Sequence, residues 1–420
     1  MMLHKRMLKT FSTPWQRTLY IMLFAQVITA VGFSSMFPFL PLYVESLGTE
    51  TNLSIEVLAG LVYSAHAFAM MIASPFWGAV ADRYGRKLMV ERAMFGGSLI
   101  LLMMAFVTNA EQLVLLRTIQ GLITGTIAAG NALIASAAPR ERTGYAMGLM
   151  QVGLGAGVAL GPLIGGVIAD TVGYSATFYV TAGLLFLAGV LVFFGIKEDF
   201  TPPEISKNLG IQSLFSKWRR ILSAQGIKST YGMRFLSQLG RLIILPIAPL
   251  FIQTLAVNPN RLNTFTGLVI GISSATTIVS AVFLGPLGDR TGHRRIVVLS
   301  ACAASLLYFL QSLVTAGWQL IVLQALIGVA LGGIIPAISS LLAHLTQSGE
   351  EGAVYGLDNS ITAASRTLAP LLGAVVAAAF SLRSVFSFTG ALFAFTALMG
   401  LFLLPPRGKN QEKKSLNQLH

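Results

Sequence analysis

Several ionisable side chains fall inside long apolar stretches of this chain, where they are kept from water. Asp358 follows the predicted start of one such stretch, at residue 353, by five residues. A carboxyl at that depth can take up and release a proton. The helix dipole also stabilises a negative charge in the first turns of a helix. Asp358 is therefore a candidate proton carrier, and a purely structural role is the alternative.

Arginines form the second group of buried ionisable residues, and their chemistry is the binding of anions. Arg117, Arg241 and Arg366 lie inside apolar stretches, and an arginine there is costly unless it faces a cavity or a partner. Arg241 and Arg366 would suit an anionic or zwitterionic substrate. We expect instead that charge is compensated within the protein, because Arg366 lies about two turns from Asp358 on a similar face.

The stretches that hold these residues have the composition of membrane spans. Hydrophobic residues make up 54% and charged residues 11% of the 420 residues, whereas soluble proteins carry about 25% charged residues. The apolar runs are continuous, which favours spanning helices over an alternating barrel. The first run is too long for a signal peptide and is expected to be retained. We predict an all-α membrane protein with twelve transmembrane helices, at 18–44, 55–80, 88–108, 112–137, 144–169, 175–196, 227–255, 264–287, 296–316, 318–345, 353–380 and 384–404.

These spans divide into two halves that repeat each other. The spacing Gly-x-x-x-Asp-Arg-x-Gly occurs at residues 78–85 and again at 285–292. Six spans return the chain to the same side of the membrane, so the halves are parallel repeats, which is a known transporter design. We predict two parallel, pseudo-symmetric six-helix bundles at 1–196 and 227–406, a cytoplasmic linker at 197–226, and a basic cytoplasmic tail at 407–420.

Positive charge collects on one side of the predicted membrane. Of the 29 lysines and arginines, 23 fall on the side of the N-terminus, the loops after even-numbered spans and the C-terminal tail, and this count includes Arg92 and Lys228, just inside span ends on that side. Cytoplasmic loops carry such an excess, so both termini are expected in the cytoplasm. The net charge of +13 is then a topology signal and a contact for membrane lipids, and no nucleic-acid partner is expected.

Three motifs resemble those of a known family. The segment GAVADRYGRK at residues 78–87 resembles the signature between spans 2 and 3 of the major facilitator superfamily. The segment RTIQG at 117–121 resembles its fourth-helix motif, and the pattern at 157–166 resembles the fifth-helix motif of its drug antiporters. The short segments at residues 37–44 and 74–78 are most similar to those of bacterial multidrug efflux proteins of the MdtG type. The resemblance covers the whole chain.

The signature after span 2 also has a physical interpretation as a conformational latch. Gly78 would let two helices pack closely, and Gly85 would permit a tight turn. Asp82 would pair with an arginine and approach the positive N-terminus of span 11, which would hold an outward-facing state. The alternative is a solvated charge cluster that only sets topology. The expected latch residues are Gly78, Asp82, Arg83, Gly85 and Arg86, with a weaker second copy at Asp289 and Arg290.

A stripe of small residues in span 5 is expected to act as a hinge at a helix interface. Its main members are Gly157, Gly161, Pro162 and Gly165. Small residues let helices approach closely in membranes. We expect the partner helix to belong to the other half.

The resemblance implies further roles around a cavity lined by spans 1, 4, 7 and 10. Arg117 would take part in proton coupling, and a structural arginine bonded to carbonyls is the alternative. Span 1 has no carboxyl, although several related drug antiporters carry one there, so the identity of the proton-carrying acid stays open. The candidate cavity residues are Phe33, Phe37, Gln120, Asn131, Gln238, Arg241, Gln324 and Arg366.

Together these features predict a secondary transporter. It would export small amphipathic or drug-like compounds in exchange for protons, by alternating access, and a monomer would suffice. No Walker motif and no metal or catalytic constellation is present in the sequence, so we expect neither a cofactor nor enzymatic activity. The alternatives are a transporter of a defined metabolite such as a sugar or an anionic solute, a membrane sensor without transport, and a lipid translocase.

Overall fold

Helices account for almost all of the chain that the structure describes. The structure is a computed structural model, and it describes residues 14–198, 200, 226–255, 257–345 and 351–404. Most of the predicted linker and the predicted tail lie outside the described residues. The α-helices are α1 (Pro14–Ser35), α2 (Leu40–Leu47), α3 (Ile55–Tyr84), α4 (Arg86–Met104), α5 (Ala110–Ile123), α6 (Thr126–Ala137), α7 (Thr143–Thr171), α8 (Tyr174–Gly195), α9 (Ile227–Leu242), α10 (Ala248–Thr254), α11 (Leu262–Thr291), α12 (His293–Ser312), α13 (Gly317–Leu345), α14 (Glu351–Ala379) and α15 (Leu382–Phe402).

Ten helical stretches within the described residues are long and apolar enough to cross a membrane. The pair α5 and α6 counts as one of them. The two predicted spans outside this set are α4, which begins with several charged residues, and the pair α9 and α10, which contains three basic residues. The prediction of an all-α membrane protein is confirmed.

Three predicted spans consist of two helices each, which the apolar pattern did not predict. α1 and α2 are separated at residues 36–39, and α9 and α10 at 243–247. Both α2 and α10 carry a proline in their first turn, and a proline cannot donate the backbone hydrogen bond that would continue the preceding helix. The break between α5 and α6 contains Gly125, whose φ of 136° is a conformation that glycine adopts readily.

Buried apolar side chains form two separate clusters, one within residues 19–196 and the other within residues 227–404. Two helix pairs make most of the contact between these groups, since α3 packs on α14 and α7 packs on α11. The short helices α2 and α10 also touch. We call the end that carries the turns at 84–86 and 291–293 the basic face. The end that carries the turns at 48–54 and 171–173 is called the opposite face.

The two groups meet at the opposite face and separate toward the basic face. A Cβ atom on Gly60 of α3 would lie 2.8 Å from the carbonyl oxygen of Pro370 on α14. Gly166 of α7 is in close contact with the backbone of Asn263 on α11. Five glycines of these four helices nearer the basic face have no described heavy atom within 4 Å of a Cβ position: Gly78, Gly144, Gly148, Gly285 and Gly356. Gly288 of α11 also lies there, but its close neighbours, His293 and Ile296, belong to the same half. The molecule is therefore closed at the opposite face.

Candidate substrate and coupling site

Arg117 on α5 is a deeply buried cation, with 1% of its surface exposed. Its Nη1 donates to Gln120 Oε1 over 2.8 Å, and its Nε donates to the Val62 carbonyl oxygen over 3.3 Å. The guanidinium carbon lies 5.8 Å from the ring centre of Phe33 and 6.0 Å from that of Tyr63. No carboxylate pairs with it among the described residues. Dipoles and aromatic rings alone hold this positive charge.

Aromatic side chains form a wall beside the Arg117 guanidinium. The ring centres of Phe33 and Phe37 are 5.7 Å apart, and those of Phe37 and Tyr63 are 6.1 Å apart. The Tyr63 hydroxyl donates to the Phe37 carbonyl oxygen over 3.2 Å, at the break between α1 and α2. The structure thus brings the predicted residues Phe33, Phe37 and Gln120 together with Arg117. It adds Tyr63, which sequence reasoning missed although it lies inside an apolar span.

Unpaired amides lie nearby on α1 and α6. Both amide atoms of Gln26, which is 1% exposed, are buried without a hydrogen-bond partner in the described part of the chain. The same holds for Oδ1 of the predicted cavity residue Asn131. A Cβ atom on Gly130 would lie 3.6 Å from Gln26 Oε1, so α1 and α6 adjoin here. Buried polar groups usually have partners, so these amides mark positions where a polar ligand or water would bind.

Asp358 on α14 forms an ion pair with Arg234 on α9. Arg234 Nη2 donates to Asp358 Oδ2 over 2.9 Å, and the side chains are 15% and 10% exposed. The expectation that Arg366 compensates this carboxylate is therefore wrong. The partner comes from a different helix, because the packing of α9 on α14 brings Arg234 to Asp358. A spacing within one helix could not reveal that contact.

Arg241 and Arg366 form a second positive site. They lie close enough to repel each other electrostatically, and Arg234 adds to that repulsion. Neither forms an ion pair within the described residues. The Arg366 side chain is exposed, whereas Arg241 is partly buried. Among the described residues, the one carboxylate paired in this region binds Arg234, and no carboxylate compensates the charges of Arg241 and Arg366.

The remaining predicted cavity residues of the second half are Gln238 and Gln324. Gln238 lies about one turn before Arg241 on α9 and is partly buried. Gln324 on α13 is 8% exposed and donates to Gln311 Oε1 over 3.4 Å. The charged predicted residues of the cavity therefore fall into two groups, Arg117 in the first half and Arg241 with Arg366 in the second.

A cavity of about 570 Å³ lies at the basic face between the starts of α1 and α7. None of the predicted residues lines it. Its lining residues are Trp15, Gln16, Leu19, Tyr20, Pro139, Arg142 and Tyr145. All of these lining residues belong to the first half, so the cavity lies apart from both charged groups and from the contacts between the halves.

The predicted latch lies at the turn between α3 and α4. Gly85 adopts φ 96° and joins the two helices without a longer loop. The Arg83 side chain is exposed, with its guanidinium carbon 5.4 Å from the ring centre of Tyr84. The close packing expected at Gly78 is absent in this arrangement. The side chain of Asp82 lies outside the described part of the structure, so its contact with span 11 stays a prediction.

A carboxylate that sequence reasoning missed binds the start of α4. The backbone N–H groups of Arg86 and Lys87 donate to the two carboxylate oxygens of Glu198 over 3.1 Å and 2.7 Å. The first N–H groups of a helix have no acceptor within the helix. Glu198, which follows α8 in the chain, therefore caps the N-terminus of α4. In the second copy, Asp289 Oδ1 lies 3.2 Å from Nε2 of His293, and Arg290 is exposed.

The glycine stripe of α7 packs within its own half, which corrects the expectation of a partner in the other half. Gly157 is in close contact with Ala30 of α1, Gly161 with Ser34 and Gly165 with Ser35. The neighbouring side of α7 meets the other half instead, where Pro162 contacts Gly267 of α11. The two sets of residues point to different sides of α7 because successive residues turn around the helix axis. The sequence does not show which neighbouring helix lies on each side.

Comparison with known proteins agrees with this architecture. The family model of the Major Facilitator Superfamily matches residues 22–233 and 230–419. A protein of Serratia proteamaculans named multidrug resistance protein MdtG is 35% identical over 96% of this chain and 98% of its own length. A protein of the same name from Salmonella paratyphi A is 34% identical over 91% of this chain and 94% of its own length.

Solved structures share the fold at low sequence identity. A bacterial homologue of the human lysosomal transporter Spinster, in an inward-facing and occupied conformation, aligns with a TM-score of 0.74 at 12% identity, over 93% of this chain and 97% of its own. The human organic anion transporter TETRAN aligns with a TM-score of 0.67 at 17% identity, over 92% of this chain and 100% of its own. With the family match over nearly the full length, the chain belongs to the Major Facilitator Superfamily and is a secondary transporter.

Proposed function

We propose that this transporter exports small amphipathic, drug-like compounds in exchange for protons. The relatives named multidrug resistance protein cover nearly the whole chain and support drug export. The wall of Phe33, Phe37 and Tyr63 suits such compounds, because aromatic rings offer large apolar contact areas. The unpaired amides of Gln26 and Asn131 add polar contacts that differ from one compound to the next.

The proposal includes twelve membrane spans, divided equally between two halves. α4 and the pair α9 and α10 would cross the membrane in addition to the ten apolar stretches. The two buried clusters support halves at 1–196 and 227–406, joined by a linker at 197–226. The positive-inside rule places the basic face and both termini in the cytoplasm, beside anionic lipids of the inner membrane. Each half has its own core, so a monomer suffices.

The main observation in support of alternating access is that the described residues of the two halves are in close contact at the opposite face but not near the basic face. Contacts between α3 and α14 and between α7 and α11 are tight at the opposite face. Near the basic face, Gly78 and Gly356 have no atom of the described residues within 4 Å of a Cβ position. A compound from the cytoplasm could enter between the halves in this arrangement. Export then requires a second arrangement with the basic face closed, in which Gly78 and Asp82 would meet α14.

Asp358 is the proposed proton carrier. Its ion pair with Arg234 joins α14 to α9 and is still partly accessible. A proton on the Asp358 carboxyl removes the negative charge and weakens this contact. Arg117, in contrast, holds a fixed positive charge in the first half. Protonation at Asp358 would therefore change how α14 packs, which links proton uptake to the arrangement of the halves.

Dye efflux from proteoliposomes with an imposed proton gradient tests this proposal. We expect efflux that requires the gradient in the wild type, and gradient-independent or absent efflux in Asp358→Asn. Cys302→Ser is the matched control, because this exposed side chain lies outside both charged groups. Gradient-dependent efflux at the wild-type rate in Asp358→Asn would exclude Asp358 as the carrier.

A second candidate is export of an anionic or zwitterionic compound. Arg241 and Arg366 repel each other and lack an ion pair in the described part of the chain. Arginine binds carboxylate and phosphate groups through paired hydrogen bonds. An anionic group between these residues would relieve their repulsion, whereas a cationic dye would increase it.

Competition distinguishes the two candidates. Anionic and cationic amphiphiles of similar size would each be tested as inhibitors of dye efflux in the wild type, Arg241→Gln and Arg366→Gln. Inhibition by the anions alone, weakened at least about tenfold in both variants, would support the anionic substrate. This factor corresponds to the loss of one charge-assisted hydrogen bond. Equal inhibition by both charge types in all three proteins would exclude it.

A further inference from the structure

Asp170, in the last turn of α7, binds the first turn of α11 at the opposite face. Its Oδ1 accepts hydrogen bonds from the backbone N–H of Asn263 over 3.1 Å and from the Asn263 side-chain amide over 2.7 Å. Its Oδ2 accepts one from the backbone N–H of Thr264 over 2.7 Å. Both carboxylate oxygens are therefore engaged by a helix from the other half of the chain.

The start of α11 needs a partner of this kind. The first N–H groups of a helix have no acceptor within the helix. The residue that precedes α11, Arg261, supplies no side-chain cap. Asp170 accepts hydrogen bonds from two of these N–H groups, those of Asn263 and Thr264. Its negative charge also interacts favourably with the positive end of the helix dipole. One charged side chain thus caps a helix of the opposite cluster.

The position of this contact makes it specific to one arrangement of the halves. α7 belongs to the cluster within residues 19–196 and α11 to the cluster within residues 227–404. Just below Asp170, Gly166 and Gly267 bring the two helix backbones into close contact. Separation of the halves at the opposite face would move α7 from α11 and break all three hydrogen bonds.

We propose that Asp170 is the positioning residue that holds the opposite face closed, and that its release from α11 is required for that face to open. This inference rests on the alternating access proposed above. The predicted latch at Asp82 would act in the same way on α14 at the basic face. The two carboxylates would then hold alternate arrangements, each capping a helix of the other half.

A distance measurement across the opposite face tests this proposal. Spin labels would be placed at Asn52 and Leu313, which are exposed at that face on different halves, after replacement of Cys302, the single cysteine of the chain. Pulsed electron paramagnetic resonance in proteoliposomes then reports the fractions of short and long distances. Wild type would be compared with Asp170→Asn, with and without the efflux dye.

A matched control is available at the same face. Glu111 Oε1 also accepts backbone N–H groups, from Glu50 and Thr51, but these belong to the same half. Glu111→Gln therefore removes a similar charge without touching the contact between halves. Asn263→Ala removes only the amide donor to Asp170, and it provides a second test if Asp170→Asn assembles poorly.

We expect Asp170→Asn to raise the ratio of long to short distances by about tenfold or more, the factor for one charge-assisted hydrogen bond. Asn263→Ala should change it in the same direction by less, and the double variant should resemble Asp170→Asn alone. Glu111→Gln should match the wild type. A wild type that switches between two distances while Asp170→Asn is unchanged would overturn the proposal for Asp170. A single distance in every protein would instead overturn alternating access.

Discussion

Replacement of Arg117 by methionine separates a functional arginine from a structural one. Methionine is shorter than arginine but has a similar volume and a flexible side chain, so it fills most of the space. The change removes the donor to Gln120 Oε1, and a buried acceptor left unpaired costs about 1–3 kcal/mol. It also removes weak contacts of the cation with Phe33 and Tyr63, worth about 0.5–2 kcal/mol. Against these losses stands the cost of keeping an unpaired charge buried, several kcal/mol.

These opposing free energies nearly cancel. We therefore expect Arg117→Met to change the free energy of unfolding by less than about 2 kcal/mol in either direction. Gln120→Leu should be the more destabilising change, because it leaves the guanidinium buried with the Val62 carbonyl as its remaining hydrogen-bond partner. The double variant should recover most of that loss, since neither group is then left unpaired.

Thermal unfolding in detergent, followed by size-exclusion chromatography, ranks the three variants. Dye efflux in proteoliposomes, normalised to folded protein, reports transport in parallel. We expect Arg117→Met to fold like the wild type and to lose gradient-dependent efflux. An Arg117→Met protein that unfolds well before Gln120→Leu, yet transports normally for each folded molecule, would refute this account. Arg117 would then be a structural residue.

Three further predictions concern the ion pair, the latch and the glycine stripe. Asp358→Asn should remove the dependence of efflux on the proton gradient, and Arg234→Gln should alter the same dependence because it removes the partner 2.9 Å away. Asp82→Asn should slow dye efflux while membrane insertion, measured by the amount of protein in membranes, stays normal; an unchanged rate would exclude the latch. Gly165→Ala should strongly reduce the yield of folded protein, because the added methyl group would overlap the Ser35 backbone. Gly183→Ala should be tolerated, since its Cβ position has no described atom within 4 Å.

The helices could be predicted from sequence because lipid imposes a simple requirement. A spanning backbone must satisfy its own hydrogen bonds, so each long apolar run had to be helical. The breaks at residues 36–39 and 243–247 were harder to foresee. Proline is tolerated inside membrane helices, and α7 and α11 continue through Pro162 and Pro286. A proline alone therefore does not indicate where a helix will end.

The contacts of the charged residues could be predicted only in part. Arg117 contacts Gln120 and Phe33, which the motif and the span order had placed in neighbouring spans, whereas the cavity expected around them stays a prediction. Arg234 was missed as the partner of Asp358, since 124 residues separate them. Asp170 and Glu198 were missed for the same reason. Each binds the N-terminus of a helix far away in sequence, and no local pattern marks such a cap.

Proton movement driven by substrate is the most direct test of coupled export. A pH-sensitive dye inside proteoliposomes would report proton flux when the transported compound is added on one side without an imposed gradient. We expect the compound to drive protons in the opposite direction in the wild type, and the signal to vanish in Asp358→Asn. Transport of the compound without any proton movement in the wild type would contradict the account.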